Sequence, residues 1–185
     1  MSSEMSLREL RIEFDNTRRI SMPIAGTIVW TIAGILGAIL PTVSASIGMF
    51  ICVGMAFPLG ILIGRLRGEN VTEKIELNRL MTLNVLMASL TWGIAIPFYN
   101  VDPSSLPLTL GILAGSMWVP LSWIIQHWIG IFHGVARTVL IVISWYAFPT
   151  QRFVIIPAVI VIVYLFSIYV MATRKIDASP TPGDG

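Results

Sequence analysis

The stretch FVIIPAVIVIVYLFSIYVMA, residues 153–172, decides the fold. It holds no Asp, Glu, Lys or Arg and is bounded by Arg152 before it and by Arg174 and Lys175 after it. A helix rises about 1.5 Å per residue and a bilayer's hydrocarbon core is about 30 Å thick, so roughly 20 apolar residues make one crossing. Segments of this kind recur towards the N-terminus, cut out by polar, Pro and Gly punctuation. They run from about Ile20 to Leu40, Ser44 to Gly64, Leu80 to Phe98 and Leu106 to Ile125, with a fifth ending at Phe148-Pro149. Composition agrees. Of the 185 residues 55% are hydrophobic and 12% charged, and mean hydropathy is +0.81. A water-soluble domain carries about 25% charged residues. Solid apolar runs rather than alternation exclude a spanning barrel, so the fold is expected to be all-α, a polytopic membrane protein with six transmembrane helices.

Charge placement sets the expected topology. Arg8, Arg11, Arg18 and Arg19 precede the first span; Arg65, Arg67, Lys74 and Arg79 lie between the second and third; Arg137, Arg174 and Lys175 fall on the same side by alternation. Arg152 alone falls opposite. The positive-inside rule then makes both termini cytoplasmic. The first span starts too far in and lacks a small-residue cleavage signal, so it is read as retained. The expected organisation is a cytoplasmic amphipathic segment over 1–19, a six-helix domain over 20–173 and a disordered cytoplasmic tail over 174–185. In the first segment Ser6-Leu7-Arg8-Glu9 forms a capping box, and Leu7, Leu10 and Phe14 share one helical face. An interfacial anchor is the expected role, with a gate or docking helix as the alternative. Asn70-Val71-Thr72-Glu73 can start a further helix leading into the third span.

A net charge of +2 excludes a nucleic-acid partner despite the basic pI, and the lone Cys52 excludes a disulfide scaffold. No Asp or Glu lies within a span, which removes the usual proton relay and a paired-carboxylate hydrolase. No metal site, no cofactor and no enzymatic activity are expected.

What remains is the segment from Gln126 to Arg137. If the fifth span starts near Ile129, His133 and Arg137 lie one turn apart on one face at depth with no carboxylate to neutralise them. If it starts at His133, Arg137 can snorkel to the surface. Snorkelling, or contact with lipid phosphate, is the expectation. The sharper reading makes Gln126, His127, His133 and Arg137 a cationic inner-leaflet site for an anionic solute or lipid headgroup. Pro120 deprives the Ser116 carbonyl of its helical donor, and Pro58 does the same to Gly54. Broken helices can line transport sites, with Ser116, Ser122, Asn84 and Thr91 as polar companions, though a packed proline kink is expected. Gly60 and Gly64, Gly111 and Gly115, and Gly130 and Gly134 are small-xxx-small pairs that suit close packing within the chain or a homodimer. Short words shared between the first three and last three spans suggest an inverted repeat, but their offsets disagree. Tyr99, Trp145 and Tyr146 should form an outer aromatic belt and Trp128 an inner one, while Trp30, Trp92 and Trp118 should pack between helices.

The segment Trp145-Tyr146-Ala147-Phe148-Pro149-Thr150-Gln151-Arg152-Phe153-Val154-Ile155-Ile156-Pro157 resembles a family of uncharacterised bacterial six-helix membrane proteins. The resemblance implies the fold and a bacterial inner-membrane location, and no catalytic residues. Within it, Arg152 reads as a solvated interfacial residue, with an anion contact or a salt bridge to Asp102 as alternatives. Two functions are left: a small transporter or channel-like protein for an anionic or small solute, or a non-catalytic scaffold, sensor or lipid-associated assembly partner.

Overall fold

The computed structural model describes residues 9–12, 14, 20–69 and 76–174. Ser6, Leu7 and Arg8 of the capping box, the Asn70 to Glu73 helix start and the tail after Arg174 lie outside the described residues. Among the described residues from Ser21 onward, eight helices and one 3-10 turn follow one another: α1 (Ser21–Ile39), α2 (Thr42–Leu66), α3 (Glu76–Leu90), α4 (Trp92–Val101), the turn Pro103–Ser105, α5 (Leu106–Ser116), α6 (Trp118–Ile124), α7 (Ile129–Ala147) and α8 (Arg152–Thr173). They compose six apolar crossings, because α3 with α4 and α5 with α6 each make one interrupted span. Among the described residues there is no strand.

Each helix shows which solvent it was built for. On α1 the exposed positions are Ile28, Ile32, Ile35 and Ile39, an apolar stripe at helical spacing, while Ala25, Gly26, Val29, Trp30 and Ala33 face inward. On α7 the exposed face is Ile131, Val135, Val139 and Ile143, and the buried face carries His133, Arg137 and Ser144. Apolar outside and polar inside is the pattern a lipid environment selects, since a polar group facing hydrocarbon has no partner.

Helix α1 packs most extensively against α2 and α8; α7 lies between α8 and the α5–α6 span, and the α3–α4 span is the least enclosed. Glycines set the close approaches. A Cβ on Gly60 would meet Met22, on Gly111 Ile141, on Gly130 the Trp118 carbonyl and on Gly134 Val119. Gly60, Gly111, Gly130 and Gly134 thus serve close packing inside the chain.

Both broken spans have a chemical cause at the break. Pro120 cannot donate to the Ser116 carbonyl, and α5 ends at Ser116. Thr91, between α3 and α4, turns its hydroxyl onto the Ala88 carbonyl at 2.5 Å and so competes with the helical ladder. Pro58, by contrast, sits inside a continuous α2, so no interruption occurs there. The interrupted spans are the third and fourth. Their counterparts under a three-plus-three inverted division, the sixth and first, are continuous, so the interruptions do not follow an inverted repeat.

Two ties close the ends. Glu69 accepts from both the backbone N–H and the hydroxyl of Ser21 and pairs with Arg67 at 3.0 Å, joining the end of α2 to the start of α1. At the opposite end Arg152 stacks on Trp145 at 3.4 Å, donates to Ser104 at 2.6 Å and lies 3.7 Å from Asp102. Arg152 is thus a cross-link between two loops rather than a solvated interfacial residue.

Candidate functional site

Helix α7 begins at Ile129, and this start fixes the depth of Arg137. The α6–α7 connection is tight: the Ser122 hydroxyl donates to the His127 carbonyl at 2.5 Å, and Gln126 adopts a left-handed φ of 49°. Arg137 comes eight residues after Ile129 and ten before Ala147, about 12 Å and 15 Å from the two ends. It is at the middle of the span, 0% exposed, and does not snorkel. The snorkelling expectation fails because neither end of the helix is within a side chain's reach.

Gly115 makes the room. A Cβ there would lie 3.0 Å from Cδ and 3.2 Å from Nε of Arg137. The guanidinium lies between two aromatic faces, 5.1 Å from the centre of Trp30 and 5.4 Å from that of Tyr164, where the ring quadrupoles offset part of the charge. Nη1 donates to the Tyr164 hydroxyl at 3.3 Å. Nε and Nη2 have no hydrogen-bond partner. Among the described residues no carboxylate pairs with Arg137: the ion pairs there are Arg67 with Glu69 and Arg152 with Asp102.

His133, one turn closer to the α6–α7 connection, is equally buried. Its ring stacks on Trp118 at 3.8 Å between centroids and 9° between planes, and meets Tyr164 edge-on at 4.7 Å. Ser167 donates its proton to the Val163 carbonyl at 2.8 Å, so Nδ1, 2.9 Å away, is the donor to Ser167. Nε2 is left without a partner.

The structure brings His133 and Arg137 together and leaves Gln126 and His127 apart from them. Gln126 is exposed and donates to the Trp123 carbonyl; the His127 ring accepts from the Ile129 backbone N–H at 3.2 Å. These two residues shape the connection. Ser116 and Pro120 lie at the break in the fourth span, where the Asn84 amide donates across from α3 to the Met117 carbonyl at 3.2 Å. Ser116 and Ser122 serve local carbonyls. Sequence reading missed the aromatic cage of Trp30, Trp118 and Tyr164. Its one signal was Trp30 and Trp118 lying deep in their spans.

On the other side of this cage is a cavity of about 260 Å³. Trp30, Trp118 and Tyr164 belong to its wall as well as to the surroundings of Arg137 and His133. The rest of the wall comes mostly from apolar residues of α2, α3 and α5, such as Val53, Phe57, Val85 and Leu113. Arg137, His133 and Pro120 do not line it. Gly54, the residue whose carbonyl Pro58 leaves without a helical donor, faces open space there.

The N-terminal residues reach this end of the bundle too. Residues 9–12 and 14 are helical; Phe14 is 1% exposed and Arg11 sits 4.1 Å over the Trp123 ring. The segment packs into the bundle through Phe14 in addition to any contact with the membrane surface.

These features define a six-span helical membrane protein with a caged cation at mid-depth, paired with no carboxylate among the described residues, and an apolar cavity beside it. The chain belongs to the DUF7010 family, a family of unknown function, whose profile matches residues 7–174. No curated protein and no solved structure matches it.

Proposed function

We propose that this protein is a non-catalytic intramembrane binder of a hydrophobic or amphipathic small molecule, resident in a bacterial inner membrane with both termini cytoplasmic. The single observation that carries this reading is the partly open, aromatic-walled cavity, lined by residues of five of the six spans and by no charged side chain. Small-molecule sites are concave, mostly apolar and furnished with a few polar groups, and Thr82, Ser89 and Tyr164 are such groups here. The one-sided distribution of Lys and Arg supports the orientation.

The test uses the full chain in phosphatidylcholine nanodiscs. Trp30, Trp92 and Trp118 line the cavity, so a brominated aliphatic probe, methyl 12-bromododecanoate, should quench tryptophan emission saturably. Ala88→Phe, which fills the wall from the least enclosed span, should abolish the saturable part. Quenching that rises linearly with probe in both proteins would mean partition into lipid alone and would end this reading.

A second reading, transport of the same class of molecule, is favoured by one observation: both helix breaks adjoin the cavity, through Trp92 on one span and Met117 and Trp118 on the other. Interrupted spans are where transporters change shape. Probe movement between leaflets that is faster with the protein than without it would support transport. An anionic solute crossing by way of Arg137 has no support, since the cation is sealed.

A further inference from the structure

Resting on that cavity reading, we infer that the ligand is a lipophilic monocarboxylate, its chain in the cavity and its carboxylate held by the Tyr164 hydroxyl backed by Arg137. Three observations converge. First, Arg137 is a permanent cation at mid-depth whose Nε and Nη2 lack partners, and among the described residues no carboxylate pairs with it. Such a charge within a membrane ordinarily marks a ligand path or a counter-ion site. Second, Tyr164 accepts an N–H from Arg137, so its own proton remains to be donated, and no acceptor for it is found among the described residues. A cation on the oxygen polarises that O–H and strengthens it as a donor to an anion. Third, Tyr164 is on the cavity wall, and its hydroxyl fits against Gly26, another wall residue, where a Cβ would come within 2.6 Å of the oxygen. The ring that stands between the cavity and the caged cation is thus the one that carries the donor.

Depth selects among anions. The Arg137 backbone is about 12 Å from the nearer end of α7, and its side chain is wholly buried, whereas a phospholipid phosphate is anchored at the interface. A single-chain carboxylate has no such tether. It supplies the missing negative charge, and the cavity takes its tail.

The experiment compares 12-bromododecanoate with its methyl ester in the same nanodiscs at pH 9, where the acid is ionised. The expected result is saturable quenching by both, with half-saturation for the carboxylate at least ten-fold lower. Tyr164→Phe, which keeps the ring and removes only the hydroxyl, and Arg137→Gln should each bring the carboxylate to the ester's value while leaving the ester unchanged. Equal half-saturation for acid and ester in the native protein overturns the inference and leaves the cavity reading standing. An unchanged preference in Tyr164→Phe overturns it as well, even if Arg137→Gln fails to fold. Saturation by neither probe removes the cavity reading itself.

Discussion

The Nη1 of Arg137 lies 3.3 Å from the hydroxyl oxygen of Tyr164, and each residue sits near the middle of its own membrane helix. Among the described residues, this contact and the two ring faces are what offset a desolvated charge. Hydrogen-bonded, paired ions recover part of the cost of burial, whereas a charge without a counter-ion does not. Arg137→Met keeps a long flexible chain beside Gly115 and removes the charge. It should stabilise the protein in detergent by about 1–4 kcal/mol, read as a higher thermal midpoint, while removing the carboxylate preference. A lower midpoint would mean that the ring faces and the hydroxyl more than compensate for desolvation.

Gly26 and Gly93 separate packing from propensity. A Cβ on Gly26 would lie 2.4 Å from Tyr164 Cζ, whereas nothing lies within 4 Å of one on Gly93. Gly26→Ala should cost about 1–3 kcal/mol through overpacking and push the hydroxyl away from Arg137. Gly93→Ala should be neutral or stabilising by about 0.5–1 kcal/mol. The thermal midpoint should therefore fall for Gly26→Ala and hold or rise for Gly93→Ala, and a fall in both would contradict the geometry.

The six spans were legible because each is a long apolar run ended by charge, Pro or Gly, and the structure matches those runs to within a few residues. The depth of Arg137 was not. The residues Trp128 to Phe132 suit an interfacial turn as well as a helix, and only the tight turn built by Ser122, Gln126 and His127 settles where α7 begins. Pro120 marked the place of the break in the fourth span, although a packed kink is expected there and the helix instead ends at Ser116. The break at Thr91 carried no such mark, since a threonine within an apolar helix is common and its bond to the Ala88 carbonyl is a local choice. Trp30 and Tyr164 come from opposite ends of the chain, and periodicity within one helix says nothing about which rings meet around one cation.

Ser167 and His133 should be energetically coupled. Ser167→Ala leaves the Nδ1 proton of His133 buried without an acceptor, which costs about 1–3 kcal/mol. His133→Phe retains the stack on Trp118 and needs no acceptor. In that background Ser167→Ala should cost far less. A double-mutant cycle on thermal or denaturant stability measures the difference, and additivity of the two changes would show that the hydrogen bond contributes nothing.

Asn84 ties the two broken spans together, since its amide donates 3.2 Å to the Met117 carbonyl while its own helix, in the third span, has little other enclosure. At 8% exposed it is the buried polar side chain of α3 among the described residues. Leucine matches its shape and suits lipid, so hydrophobicity alone predicts that Asn84→Leu is harmless. The hydrogen bond predicts otherwise: the Met117 carbonyl loses a donor beside the break, and the third span loses a tie to the fourth. Interhelical hydrogen bonds within membranes are worth about 0.6 kcal/mol on average and about 1.7 at most, so global stability should fall only slightly. The larger effect should be local. Because Met81, Thr82, Val85 and Met117 all line the cavity, loosening this tie should widen it, and hydrogen exchange at the amides of residues 84–92 should quicken several-fold with little change in the rest of the bundle. Exchange unchanged over that segment would show that the third span is held by its lipid-facing packing and not by Asn84.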